Sequence, residues 1–223
     1  MDHPPAPIVV GDGTAVAPNP NRLLVLYAHA APHLSRVNRR LADAARLCEG
    51  VFLRDLYDTY PDFYIDVARE QALVAQAEVL VFLHPFQWYG MPALLKEWVD
   101  CVLTEGWAYG SNSTGSAGSS VLQGKIYWLV ATTGGAAEDY APGARHGRPF
   151  ADYLAPFEQT AALCGMQWME PLILHAAHTV DAATVDAHIS HFGELLQALA
   201  AAPALKLKVE LGHGHSAKAA DGV

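Results

Sequence analysis

The stretch Glu78–Gly110, EVLVFLHPFQWYGMPALLKEWVDCVLTEGWAYG, limits the folds open to this chain more than any other. It begins with the apolar run Val79–Leu83, and Pro85 follows two residues later. A short run without polar alternation, stopped by a proline, reads as a strand buried on both faces. It ends with residues 92–103, where Leu94, Leu95, Trp98, Val99, Val102 and Leu103 recur at helical spacing. Pro92 suits the first turn of that helix, where its missing N–H costs little. Between strand and helix lie Pro85, Phe86, Gln87, Trp88, Tyr89, Gly90 and Met91. In open α/β sheets ligands gather beyond the carboxyl ends of the strands. Backbone amides beside flat apolar side chains suit a planar ring with polar edges. Core capping by Phe86, Trp88 and Tyr89 is the alternative that this stretch alone leaves open.

The same alternation runs through the rest of the chain. Strands are predicted over 23–28, 51–56, 126–131 and 167–175, and helices over 36–48, 66–76, 150–164 and 181–202. Pro171 marks the last strand as an edge or a bulge. Five strands with intervening helices predict a doubly wound parallel α/β sheet of order 2-1-3-4-5, the flavodoxin-like arrangement. Its switch point falls between strands 1 and 3, so the loops after strands 1, 3 and 4 converge on one rim. The first loop carries His29 and Ser35, with Asn38 in the first turn of the helix that follows. A strand–loop–helix start suits a phosphate, because free N–H groups and the positive end of the helix dipole face it. No GxGxxG and no GKS motif is present. Taken alone, Ser35 reads as a helix cap before a phosphate contact, and His29 as a loop histidine before a phosphate ligand. The fourth-strand loop is Thr132-Thr133-Gly134-Gly135, whose glycines let backbone N–H groups approach a ligand; an ordinary tight turn is the alternative. Together the three loops suggest FMN, with its phosphate on the first helix and its ring between the third and fourth loops.

Residues 1–21 and 203–223 read as flexible tails flanking a single domain over 22–202, and Gly110–Lys125 as a Gly/Ser-rich surface loop. The C-terminal Gly212-His213-Gly214-His215 reads as solvated polar residues, so no metal is expected. Net charge is −9 with no basic block, which argues against nucleic acid. Cys48, Cys101 and Cys164 fall far apart on predicted helices and read as free thiols in a reducing compartment. No apolar run reaches the roughly 18 residues of a membrane span. The N-terminus, MDHPPAPIVVGDG, lacks a basic region and holds three prolines, unlike a secretion signal, so a cytoplasmic protein is expected. Gly-x-Ser-x-Gly is absent, which argues against a hydrolase of the α/β class.

HPFQWYGMPALLKEWVDCVLTEGWAYG, the TTGG followed by Tyr140 and His146, and CGMQWMEPLILHAAH resemble the NAD(P)H:quinone oxidoreductases of the flavodoxin-like fold. LYDTYPDFYIDVAREQ resembles their bacterial branch, which includes the ancillary flavoproteins of glutathione-gated potassium-efflux systems. The resemblance spans about residues 23–200. It implies FMN, with FAD the second choice, and a homodimer. It also implies two-electron hydride transfer from NAD(P)H to a quinone-like acceptor by a ping-pong mechanism. On the matching positions, His29, Ser35 and Asn38 serve the phosphate side, and Pro85, Phe86, Gln87, Trp88 and Tyr89 line the flavin ring. Thr132, Thr133, Gly134 and Gly135 meet the ring's other edge. Tyr140 and His146 form the pair that serves the reduced ring, and His146 also lies in the acceptor pocket. Trp107 and Tyr109 match aromatics that a partner subunit contributes to that pocket. A membrane antiporter partner, placing the protein peripherally at the inner membrane, is the regulatory alternative. An azo- or nitroreductase is the enzymatic one.

Overall fold

The computed structural model describes residues 22–110 and 120–202. The readings of 1–21, of 203–223 with its two histidines, and of most of the Gly/Ser-rich segment lie outside the described residues.

Hydrophobic alternation explains the architecture strand by strand. In β1 (Leu23–Tyr27), Leu24 and Leu26 enter one core, while Leu23, Val25 and Tyr27 enter another. The same division holds in β3 (Val79–Pro85) and β4 (Ile126–Thr132), where Leu80, Phe82, Tyr127 and Leu129 oppose Val79, Val81, Trp128 and Val130. A strand apolar on both sides needs a helical layer on each. One core is covered by α4 (Ala93–Val102) and α5 (Ala155–Leu163), through Leu94, Leu95, Trp98, Phe157 and Ala161. The other is covered by α1 (Asn38–Arg46) and α6 (Ala182–Ala201), through Leu41, Ala42, Ala45, Phe192 and Leu196.

The five strands are parallel and ordered β2-β1-β3-β4-β5, with β2 at Val51–Asp55 and β5 at Gln167–Leu174. Chain order reverses between β1 and β3, which opens a crevice beyond their carboxyl ends. β5 is an edge strand, and its register slips so that Glu170 and Pro171 oppose Leu129 alone. That bulge absorbs the proline that a continuous ladder would reject.

Most element ends depart from the expected bounds by one or two residues, and the start of the helix expected at 150 departs by five. The first helix begins at Asn38 rather than 36, because Pro32–Leu34 first form a 3-10 turn. Leu56 leaves β2 and opens the one-turn helix α2 (Leu56–Thr59), capped by the Asp55 side chain, which accepts from Asp58 N. β3 runs two residues further than expected, through His84 and Pro85. α3 spans Val67–Gln76, with the expected Asp66 cap accepting from Arg69 N at 3.1 Å. The residues expected as one loop and one helix after β4 contain two 3-10 turns, Ala137–Asp139 and Phe150–Tyr153, before α5 starts at Ala155. Of the three free cysteines only Cys101 is helical; Cys48 and Cys164 lie just past helix ends.

A buried polar knot that the hydrophobic pattern hides joins β2, α3 and α4. Glu70 is completely buried. One carboxylate oxygen accepts from Arg54 Nε at 2.8 Å and from Tyr60 Oη at 2.7 Å, and the other accepts from Trp98 Nε1 at 2.9 Å. Three side chains from distant segments donate to the two oxygens of one carboxylate, which is the condition for a buried ion pair to hold without large cost.

Glu70→Ala leaves Arg54 charged and unpaired, and is expected to cost about 3–5 kcal/mol of unfolding free energy in urea titrations. The double variant Glu70→Met with Arg54→Met recovers most of it.

Candidate functional site

Two adjoining clefts lie over the carboxyl ends of β1, β3 and β4. The lower, about 330 Å³, runs from His29, Ser35 and Asn38 past Pro85, Phe86 and Gln87 to Thr132, Thr133 and Gly134. The upper, about 360 Å³, is lined by Phe86, Trp88, Tyr89, Gly134, Gly135, Tyr140, Arg145 and His146. Phe86 and Gly134 border both. The loops expected to converge therefore do so. Trp107 and Tyr109 line neither cleft of this chain; both pack partly against the core beside α4.

The lower cleft is built around the start of α1. Ser35 Oγ accepts from Arg39 N at 3.1 Å, so the serine does cap the helix from within the cleft wall. Asn38 is 4% exposed; its Nδ2 donates to Thr132 Oγ1 at 2.8 Å, and its Oδ1 has no partner. His29 Nδ1 accepts from Ala31 N at 3.1 Å. Burial lowers the His29 pKa, and the neighbouring His178 and His33 lower it further. Arg36 Nη1 donates to the His178 carbonyl at 3.4 Å. Three imidazoles and a guanidinium thus gather at a helix start, an arrangement that suits an anion.

The aromatic run turns sharply. Gln87 and Gly90 exchange both backbone hydrogen bonds at 3.0 Å, and Trp88 and Tyr89 between them have φ of 47° and 64°. Two consecutive positive φ values define the hairpin turn that normally demands Asn-Gly. Two aromatics in that conformation store strain at the cleft mouth. Trp88 is 94% exposed, so packing does not hold it there; Tyr89 stacks on Tyr153 at 5.0 Å. Core capping is therefore not what Trp88 does.

Tyr140 and His146 lie together, ring on ring, with centroids 4.3 Å apart and planes at 18°. Both sit over Gly135, where an added Cβ would stand 2.6 Å from His146 Nε2 and 3.3 Å from Tyr140. His146 Nδ1 reaches Tyr89 Oη at 3.4 Å, and His146 Nε2 has no partner. Burial raises the Tyr140 phenol's pKa, and the neighbouring Thr133 side chain opposes that rise.

A family model described as the flavodoxin-like fold matches residues 21–196. The chain belongs to the flavodoxin-like family. It is 41% identical over 174 residues to the glutathione-regulated potassium-efflux system ancillary protein KefF of Enterobacter sp. (strain 638), covering 78% of this chain and 94% of that protein. Among solved structures it is similar to general stress protein 14 of Treponema denticola in complex with FMN, with TM-score 0.71, 34% identity, and 80% and 99% of the two chains covered. A thermophilic tryptophan halogenase from Streptomycin violaceusniger has TM-score 0.71, 36% identity, and 77% and 96% covered.

Flavodoxin-like topology also explains what the sequence reading missed. It counted the loops after strands 1, 3 and 4, but β5 lies beside β4 in the sheet, so the loop after β5 reaches the same rim. That loop supplies His178 and Ala177 to the lower cleft. Arg145, the one charged residue lining the upper cleft, lies in the loop after β4 and is not among the expected site residues. His84, expected just past the end of its strand, is completely buried, stacked on Phe157 at 5.9 Å, with Nδ1 3.0 Å from the Pro85 carbonyl and Nε2 unpartnered.

Trp88→Asn relieves the left-handed turn at little loss of packing, and is expected to raise stability by about 0.5–1 kcal/mol in urea unfolding. Burial pushes the His84 pKa down to about 4 from 6.5. The unfolded chain therefore binds that proton first as pH falls. Stability is therefore independent of His84 titration above about pH 6.5, and falls progressively as pH drops from there towards 4. His84→Gln removes that part of the acid slope, seen as a flatter plot of unfolding free energy against pH.

Proposed function

We propose that this protein is an FMN-dependent NAD(P)H:quinone oxidoreductase. The observation that carries the reading is the pair of joined clefts at the switch point. The lower has an anion-binding helix start, and the upper has aromatic walls and two glycines. FMN is long, anionic at one end and planar at the other, and the two clefts have those characters in that order.

The residues present fit the group. The orphaned Asn38 Oδ1 is a buried acceptor facing a cleft, and a ribityl hydroxyl is a donor of the right kind. Asn38 N–H, already spent on Thr132 Oγ1, holds that carbonyl in place. His29, Ser35, Arg36 and His178 would hold the phosphate. Pro85, Phe86 and Gln87 would flank the ring, with Thr132, Thr133 and the Gly134 and Gly135 backbone along its edge. Bound there, FMN supplies hydride chemistry between a reduced nicotinamide and an acceptor. Trp88, Tyr89 and His146 wall the space left for donor and acceptor in turn, and Tyr140 presents a phenol at its edge. Alternation of the two in one cavity gives ping-pong kinetics. Arg145 brings the upper cleft its only full positive charge and suits the anionic parts of NAD(P)H. Trp107 and Tyr109 would reach this cavity only from the second subunit of a dimer.

Further support comes from the Treponema relative crystallised with FMN. The relative named as a potassium-efflux ancillary protein favours a second reading, a flavoprotein that docks on a membrane antiporter. Among the described residues no helix is long and apolar enough to cross a membrane, so such an association would be peripheral. The halogenase neighbour is a reminder that the fold hosts several activities, and the function must rest on the site.

Purified protein is expected to be yellow, to release FMN on heating, and to oxidise NADPH or NADH only when a quinone is supplied. A colourless protein that refuses added FMN overturns the reading. Asn38→Ala is expected to weaken FMN binding at least tenfold, about 1.4 kcal/mol, measured by quenching of flavin fluorescence.

A further inference from the structure

Tyr153 ends the 3-10 turn before α5 and lines neither cleft. Its neighbours along the chain face inward: Phe150 packs against one core, and Leu154 is buried in it. Tyr153 packs into neither core. Its ring and hydroxyl instead meet three residues that wall the upper cleft. The ring lies nearly parallel to that of Tyr89, with centroids 5.0 Å apart and planes at 19°. It meets the Tyr140 ring edge-on at 6.0 Å and 76°. The hydroxyl donates to the His146 carbonyl at 2.8 Å.

These partners belong to two segments that leave the sheet separately. Tyr89 sits in the turn after β3, with φ of 64° beside an exposed Trp88 at 47°. Strain of that kind persists only where other contacts fix it. The ring face on Tyr153 is such a contact. His146 sits in the loop after β4, which closes on itself. Ala144 N donates to Ala141 O, His146 N to Asp139 O and Gly147 N to Ala144 O, each at 3.0 Å. Bonds within a loop set its shape, not its distance from the next loop. Among the described residues, hydrogen bonds reach His146 from outside that loop at two points. One is the Tyr153 hydroxyl, and the other is Tyr89 Oη, 3.4 Å from Nδ1. The second is long and exposed, so it is the weaker of the two. Tyr153 thus holds both partners of the Tyr89–His146 contact, one by its ring face and the other by its hydroxyl.

We propose that Tyr153 is a positioning residue for the upper cleft, tying the aromatic turn after β3 to the loop after β4 and so fixing where His146 stands against Tyr89. This deepens the quinone-reductase reading and rests on it. On that reading, donor and acceptor occupy in turn the space between those two walls. A misplacement of about 1 Å in such a wall can cost on the order of a hundredfold in rate. Tyr153 lies behind the walls and touches neither reactant, so its effect on turnover passes through His146. Two residues that act as one unit give non-additive substitutions. Tyr153→Phe isolates the tie, because it keeps the ring against Tyr89 and Tyr140 and removes only the bond to the His146 carbonyl.

Amide hydrogen exchange reads the tie without flavin or turnover. In FMN-free protein, Tyr153→Phe is expected to speed exchange at the His146 and Gly147 amides about tenfold and to leave the β4 amides unchanged. Unchanged exchange in the loop overturns the proposal. Steady-state quinone reduction is the second measurement. Tyr153→Phe is expected to lower kcat/KM for the quinone about tenfold, with FMN affinity within about twofold of wild type. In a His146→Ala background the same substitution is expected to change nothing further. Equal effects with and without His146 show independent action and overturn the proposal, as does a His146→Ala variant of full activity. Wild-type protein that binds no FMN or reduces no quinone sinks the redox reading and this role with it. An active enzyme indifferent to Tyr153→Phe sinks the positioning role alone.

Discussion

Thr132 is the point at which the site is tied together. Its side-chain oxygen accepts from Asn38 at the start of α1, and its backbone carbonyl accepts from Phe86 N at 2.7 Å. Those partners come from the loops after β1 and β3, which lie on either side of the topological switch. One residue at the end of β4 therefore fixes the spacing of all three walls. The sheet alone cannot do this, because strand pairing ends below the rim: β3 and β4 pair up to Pro85 and Thr132, and β1 stops at Tyr27. Beyond that level the loops are free to splay unless side chains join them. Asn38 is buried to make its bond, and leaving one of its two polar ends unpaired is the cost. A ligand that supplies a donor to Asn38 Oδ1 removes that cost.

The knot around Glu70 and the rim of the clefts handle polarity differently. Around Glu70 every polar group is paired, and three elements are locked by it. At the rim, Asn38 Oδ1, His84 Nε2 and His146 Nε2 are buried without partners, and Trp88, Tyr89 and Ala176 adopt strained backbone. A fold tolerates unsatisfied groups and strain only where the surrounding structure over-determines them. The Glu70 knot lies under α4, whose start follows the aromatic turn, and so it stiffens the platform on which that strain is held. The two features belong together energetically even though no side chain connects them directly.

Much of this was legible in the sequence. Val79–Leu83 and Ile126–Ala131 are apolar at every position, so they had to be central strands with a layer on each face. From five such strands the order and the switch point follow, and with them the three converging loops. The strained turn was not legible, because Trp-Tyr is not a turn-forming pair; only cross-turn hydrogen bonds between Gln87 and Gly90 reveal it. Glu70 sits in a polar stretch of α3 where a solvated carboxylate is the ordinary expectation, and nothing in its neighbours' identities signals Arg54 sixteen residues earlier. His178 was within reach. Strand order placed β5 next to β4, and its loop should have been counted with the others.

Electrostatics adds a constraint that no single loop carries. The chain is strongly acidic, with net charge −9, yet His29, His33, His178 and Arg36 cluster at one helix start. Burial lowers the His29 pKa, and the neighbouring His178 and His33 lower it further. A dianion arriving there reverses both effects on the imidazole, since an opposite charge at close range favours the protonated form. On the proposed function, binding of the FMN phosphate beside His29 is coupled to proton uptake by that imidazole. An acidic surface around a cationic pocket also concentrates the attraction where the ligand must enter, because the rest of the protein repels an anion. The charge pattern thus selects the end of the molecule that enters first, and the hydrogen bonds at Thr132 then decide how the remainder lies.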